Sequence, residues 1–189
     1  MQPARTSTLD HFQAVAEGVF VALTPISTVG PAEIAFVKAQ ARSVVRRRAR
    51  LCLHRSSYDR LHDMVIALDM ATYLRPHRHA DKSETFHIIE GSASVVIFDD
   101  NGRIERVIAV GGEKGQRLYR LDVPQYHTLV IQSNMLVIHE VTNGPFAPGA
   151  TDYAAFAPAE NDTARANAYL RDLRERLQTF SQGPAVPRR

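Results

Sequence analysis

Arg75-Pro76-His77-Arg78-His79-Ala80-Asp81-Lys82-Ser83-Glu84-Thr85-Phe86-His87-Ile88-Ile89-Glu90-Gly91 is the stretch that decides how this chain is read. His77 and His79 stand at i and i+2. On a strand they point to the same side, about 6.6 Å apart along it. Two imidazoles so placed can converge on one metal ion. Glu84 follows the short connection 80–83 and can supply a carboxylate from the neighbouring strand. At Gly91 the chain must turn sharply between two strands, which favours a residue without Cβ.

Around this stretch the sequence has the texture of strands. Segments 64–70, 71–79 (interrupted by Pro76), 84–90, 92–98, 103–110, 117–123, 127–131 and 135–141 are short, rich in β-branched residues and separated by turn signals. Asp99-Asp100-Asn101-Gly102 reads as a hairpin turn, because Asn-Gly tolerates positive φ. Six to eight such strands predict an all-β sandwich or barrel. Ahead of them, residues 9–17 read as a short amphipathic helix and 18–27 as a strand. Pro31 opens a helix with Ile34, Val37, Ala41, Val44 and Val45 on its apolar stripe. Its predicted end is Arg46-Arg47-Arg48-Ala49-Arg50, where cations suit a helix C-terminus. Behind the strands, 150–160 reads as an irregular apron. Asn161 or Asp162 can cap a last helix through Phe180, with Leu170, Leu173, Leu177 and Phe180 on one face.

The division expected is an N-terminal strand-and-helix extension (1–50), a β-barrel (51–146), an irregular segment with the C-terminal helix (147–180) and a disordered tail (181–189). The 189 residues suit one domain with extensions, and 44% apolar content can bury a core. The lone Cys52 agrees with a reducing compartment and reads as an inert buried thiol. No apolar run nears the roughly 18 residues of a membrane span, and no signal-peptide core is present, so the expectation is a cytoplasmic protein with no membrane partner. Net charge is +3 and nearly all arginine, since lysine occurs only at Lys38, Lys82 and Lys114. That excess, without aromatic stacking positions, argues against nucleic acid as a partner.

Among the eight histidines, His127 follows Pro124 at the start of a later strand and can join His77, His79 and Glu84 as a fourth ligand. His139 is its rival. His87 has the wrong parity to face the metal. Three imidazoles and a carboxylate suit Fe, Zn, Mn or Ni as a divalent ion, with positions left for a small-molecule substrate. Tyr73 and Arg75 share parity with the histidines and are candidates to hold an anionic group. Arg48, Arg50 and His54 approach from the preceding segment as further substrate-binding candidates. Arg75, Tyr126 and Glu140 are the candidates for catalysis.

The spacing H-x-H, four residues, Glu, six residues, Gly resembles the first motif of the cupin superfamily, through His77, His79, Glu84 and Gly91. The second cupin motif, Pro-x-Gly-x-x-His, is matched only in part by Pro124-Gln125-Tyr126-His127, which is two residues shorter and lacks the glycine. Five blocks, Arg46–His54 (RRRARLCLH), Ala71–His79 (ATYLRPHRH), Phe98–Ile104 (FDDNGRI), His139–Phe146 (HEVTNGPF) and Phe156–Glu160 (FAPAE), resemble the WbuC family of cupin-fold metalloproteins over roughly residues 32–160. The resemblance implies a mainly β, cupin (double-stranded β-helix, jelly-roll-like) barrel flanked by an N-terminal and a C-terminal helix. It also implies a metal centre, a setting in bacterial surface-polysaccharide metabolism with a sugar or nucleotide sugar as substrate, and pairing as a homodimer. The chemistry expected is isomerisation, epimerisation or dioxygenation; the alternative is a non-catalytic binding module.

Overall fold

The computed structural model describes residues 9–147 and 149–182. In chain order its elements are β1 (Phe12–Ala16), β2 (Val19–Ala22), α1 (Pro31–Ser43), β3 (Arg48–Cys52), β4 (Leu61–Asp69), β5 (His77–His79) and β6 (Glu84–Glu90). They continue with β7 (Ser92–Phe98), β8 (Ile104–Gly111), β9 (Leu118–Leu121), β10 (Tyr126–Ile131), β11 (Met135–Asn143), β12 (Thr151–Tyr153) and α2 (Thr163–Gln182). One sheet has the order β1-β2-β3-β4-β11-β6-β9 and the other β12-β5-β10-β7-β8. The quartets β4-β11-β6-β9 and β5-β10-β7-β8 are the two faces of an eight-stranded jelly roll, the closure that hides most sheet edges. The mainly β, double-stranded β-helix expected from the sequence is therefore the fold, with one helix before it and one after.

Alternation along the strands sets three apolar layers. Leu68, Phe86, Val95, Leu129, Leu136 and Ile138 fill the space between the sheets. Ala49, Leu51, Val65, Ala67 and Val137 point out of the first sheet and meet Phe36, Val37 and Ala41 of α1. Leu170, Leu173 and Leu177 of α2 cover Val96, Phe98 and Val130 on the back of the second sheet. Each helix thus buries one stripe against one sheet, the arrangement its apolar spacing requires. At Gly91 the turn has φ +80°, and a Cβ there would stand 2.2 Å from the Met135 carbonyl oxygen.

The N-terminal region departs from the reading of the sequence. Residues 12–16 form a strand, not a helix. Gly18 (φ +68°) folds β1 back on β2, with Phe12 opposite Ala22. Phe12 then buries under α1, an option that local helical periodicity does not reveal. The arginine run is not the end of α1 either. The helix stops at Ser43, Arg47 takes φ 55°, and Arg48–Cys52 become β3, parallel to β2 and antiparallel to β4. Pro76 confines the strand expected over 71–79 to His77–His79, and the apron of 150–160 contains β12, which pairs with β5. Asp162 caps α2, its Oδ1 accepting from the Arg165 amide at 3.2 Å. The helix reaches Gln182, and the expected tail lies outside the described residues from 183 onward.

Candidate metal centre

The short β5 places His77 and His79 on one face, and β10 brings His127 into register opposite His77. Glu84 opens β6 in the facing sheet. One ligand atom each from His77, His79 and Glu84 lies within 4.8 Å of the others. His127 adds its ring beside them, 4.6 Å from that of His77 and 6.2 Å from that of His79. His127 Nε2 stands 2.5 Å from Glu84 Oε1, and His79 Nε2 stands 4.0 Å from the same oxygen. Glu84 and His127 are buried.

The outer nitrogens fix how the rings face. His77 Nδ1 is 2.9 Å from the Arg75 carbonyl and His127 Nδ1 is 2.9 Å from the Gln125 carbonyl. Only a protonated nitrogen can donate to a carbonyl, so in the neutral form of each ring Nε2 carries the lone pair. His79 Nδ1 lies 3.5 Å from Thr151 Oγ1. This outer support is the arrangement that orients metal-ligating histidines. Glu84 Oε1 and His127 Nε2 are both buried and have no partner but each other among the described residues. Two such atoms at this distance need a shared proton or a cation between them, so the residues present fit a divalent ion.

Electrostatics agree. Burial, followed by the nearby His127, pushes His77 down to about 4. Burial also lowers His79, with Glu84 opposing. Both rings are thus neutral and able to ligate at physiological pH. For His127, burial acts downward but the Glu84 carboxylate outweighs it, and the group is raised. For Glu84, burial acts upward and His127 more than offsets it, so the carboxyl is lowered.

The cluster opens into a cavity of about 220 Å³ inside the barrel. Ile66, Leu68, Leu74, Phe86, Leu129 and Ile138 form its apolar wall, and Glu140 stands among them. Burial first, and then the charge of Glu84, lifts Glu140 to about 8, so it carries a proton at neutral pH. The mouth is framed by Glu17 and Gly18 from the β1–β2 turn and by Arg46, Arg48 and Arg50. Arg48 and Arg50 sit opposite Leu68 and Ile66 in the β3–β4 register, hence on the inner face. Arg48 binds Glu160 with contacts of 3.2 and 3.0 Å, and Arg46 pairs with the same carboxylate.

Several candidates lie elsewhere. Tyr73 turns outward, donates to the Pro158 carbonyl at 2.9 Å and packs on Tyr169. Arg75 donates to the Ala154 carbonyl at 2.8 Å and lies over Tyr153. Both were expected in the cavity by strand parity. The backbone before Pro76 is not a strand, however, and Leu74 faces inward instead. Tyr126 points to the outer face, where it donates to Asp152 Oδ2 at 3.0 Å beneath Arg78. His54 stacks on His62 at 4.2 Å and lies outside the cavity. His139 faces away from the barrel, 2.5 Å from Asp63 Oδ1, which removes it as a rival to His127. His87 is exposed, as its parity predicts. Arg46, Glu17 and Glu160 were not singled out from the sequence. Arg46 lies in the turn before β3, where Arg47 at φ 55° breaks strand parity, so spacing alone did not point to it.

Fold and site together define a cupin-type barrel with a His/Glu cluster compatible with metal binding. A family model described as a domain of unknown function, DUF6016, matches residues 30–110. No curated protein sequence matches the chain. Among solved structures, the chain is similar to protein SO0799 from Shewanella oneidensis at 11% identity and TM-score 0.49, over 58% of this chain and 75% of that one. A Bacillus subtilis oxalate decarboxylase variant aligns at 22% identity and TM-score 0.40, over 50% of this chain and 24% of that one. Procruciferin, the 11S globulin of Brassica napus, aligns at 17% identity and TM-score 0.42, over 52% and 25%. None of the helices described is long and apolar enough to cross a membrane.

Proposed function

We propose that the protein binds one divalent cation (Fe, Zn, Mn or Ni) through His77, His79, Glu84 and His127, and that a small oxygenated or anionic molecule enters the same cavity. The observation that carries this reading is the convergence of His77, His79 and His127 on a buried Glu84 oxygen that no described residue outside the cluster reaches. A bound cation would supply Lewis-acid or redox chemistry. The protein's own residues would do the rest: Arg50 attracts the anion at the mouth, the aliphatic wall excludes water, and Glu140 stands in the wall as a carboxyl that can exchange a proton. This arrangement favours an enzyme over a sequestering module, because a half-buried carboxyl beside an open cation site is suited to proton transfer.

The resemblance to the WbuC family is the support for a role in surface-polysaccharide metabolism and for a sugar or nucleotide sugar as substrate. Pairing as a homodimer belongs to the same reading. β1 ends the larger sheet and leaves Val15 exposed, an edge that a second copy can cover. Light scattering on the purified protein tests the dimer, and a monomer at working concentration refutes it. Elemental analysis of protein purified without added metal tests the centre. Stoichiometric metal in the wild type, lost in His77→Ala and His79→Ala, is expected; equal metal content in all three would sink the reading.

A further inference from the structure

We infer that the organic ligand is a singly charged carboxylate with an apolar body, held at its charged end by Arg50. This inference rests on the metal-site reading above and replaces the sugar or nucleotide sugar suggested by the WbuC resemblance with a smaller ligand for that cavity. Arg50, Ile66 and Ile138 stand in one row across β3, β4 and β11, because Ile66 pairs with both of the others. The guanidinium therefore begins a strip that continues as bare hydrocarbon toward the ligand cluster. Arg46 and Arg48 share the Glu160 carboxylate. Arg50 is exposed at the mouth, and its charge acts to lower the Glu140 carboxyl across the cavity, but its side chain forms no salt bridge among the described residues. The mouth thus offers one cation not held in a salt bridge, which matches one negative charge. An unpaired arginine fork is suited to bidentate contact with a carboxylate.

The wall argues against a polyhydroxylated ligand. Apart from the ligand cluster, the three arginines and the carboxyls of Glu17 and Glu140, the lining is without polar side chains of Ser, Asn, Gln, Asp, Lys or Tyr among the described residues. Thr128 is the one hydroxyl there, and its Oγ1 already donates to the Leu74 carbonyl at 2.7 Å. Backbone groups of the surrounding strands are spent in the ladders. A sugar ring against Ile66, Leu68, Leu74 and Leu129 would bury hydroxyls without partners along that side. The cavity volume of about 220 Å³ also falls below the roughly 300 Å³ at which pockets for larger ligands begin. A nucleotide sugar exceeds it.

Calorimetric titration of the metal-loaded protein with hexanoate, 1-hexanol and D-galacturonate tests the inference, in wild type and in Arg50→Gln. Hexanoate should bind tightest. Arg50→Gln should weaken it roughly tenfold or more, with the weakening confined to the carboxylate. Galacturonate binding as tightly as hexanoate, no hexanoate binding with metal present, or hexanoate binding indifferent to Arg50→Gln would each overturn it. Metal content is measured on the same samples. Wild-type protein that takes up no metal yet binds hexanoate in an Arg50-dependent way refutes the metal centre and supports the ligand class.

Discussion

His127 Nε2 and Glu84 Oε1 approach to 2.5 Å from facing sheets, and neither atom has any other partner among the described residues. Without a cation the pair lowers its cost by charging: Glu84 is held below and His127 above its ordinary value. Metal binding needs His127 neutral. Metal uptake at about pH 6, below the ordinary histidine value, should therefore release a proton from His127. Well above its raised value it should release none. Calorimetry in buffers of differing ionisation enthalpy reads this directly, and a pH-independent proton count contradicts it.

The choice between His127 and His139 gives a second prediction. His127 is buried against the cluster, while His139 faces Asp63 on the outside. His127→Ala should weaken metal affinity by at least the roughly 10–100-fold that even outer-shell partners contribute. His139→Ala should leave affinity unchanged. Competition with a chromogenic chelator measures both.

Glu140 sets a pH dependence of opposite sign to that of an ordinary surface carboxylate. Burial, reinforced by Glu84, raises its folded value to about 8. The stability it contributes is complete below the unfolded value and is lost as pH rises through the folded one. Metal-free protein should accordingly lose melting temperature from about pH 5 to pH 8. Glu140→Gln should flatten that decline. Melting curves across the range check it, and an unchanged slope in the variant would rule it out.

Leu173 is fully buried between α2 and the second sheet. Leu173→Ala should cost about 2–5 kcal/mol, the usual toll of a cavity in a well-packed layer. Urea unfolding measures it. Metal affinity should hold, because α2 touches the outer face and not the ligands.

Glu160 anchors two arginines at the mouth. Burial acts to raise its carboxyl, but Arg48 and Arg46 lower it on balance. Its contribution to stability is thus present above the ordinary carboxylate value and fades as pH falls through the lowered one. Glu160→Gln should destabilise the fold by about 1–3 kcal/mol at neutral pH and by less in acid. Chemical denaturation at two pH values tests this, and an equal loss at both would refute it.

The sequence revealed most where spacing carries geometry. The interval from His77 to Gly91 gave β5, β6 and three of the site residues, because strand parity and a positive-φ glycine leave few alternatives. It revealed least where tertiary context decides. Residues 12–16 bear no mark that Phe12 will pack under α1. The run from Arg46 to Arg50 suits a helix end as well as a strand, until β4 offers it a partner. Arg75 and Tyr73 failed for a related reason: parity was carried backward through Pro76, where the ladder had stopped. Tyr126, adjacent to His127, lay one residue out of phase and so faced the opposite surface.

Strand β3 enters the larger sheet from the N-terminal extension, yet its inner face supplies Arg48 and Arg50 to the mouth of the barrel. On the proposed reading, cation and organic ligand are governed by different stretches of chain. The jelly roll between β5 and β10 would hold the ion, whereas the appended β2–α1–β3 unit would determine what approaches it. The two can vary independently: a changed extension could redirect the same inorganic centre to a new molecule without disturbing a single one of its ligands.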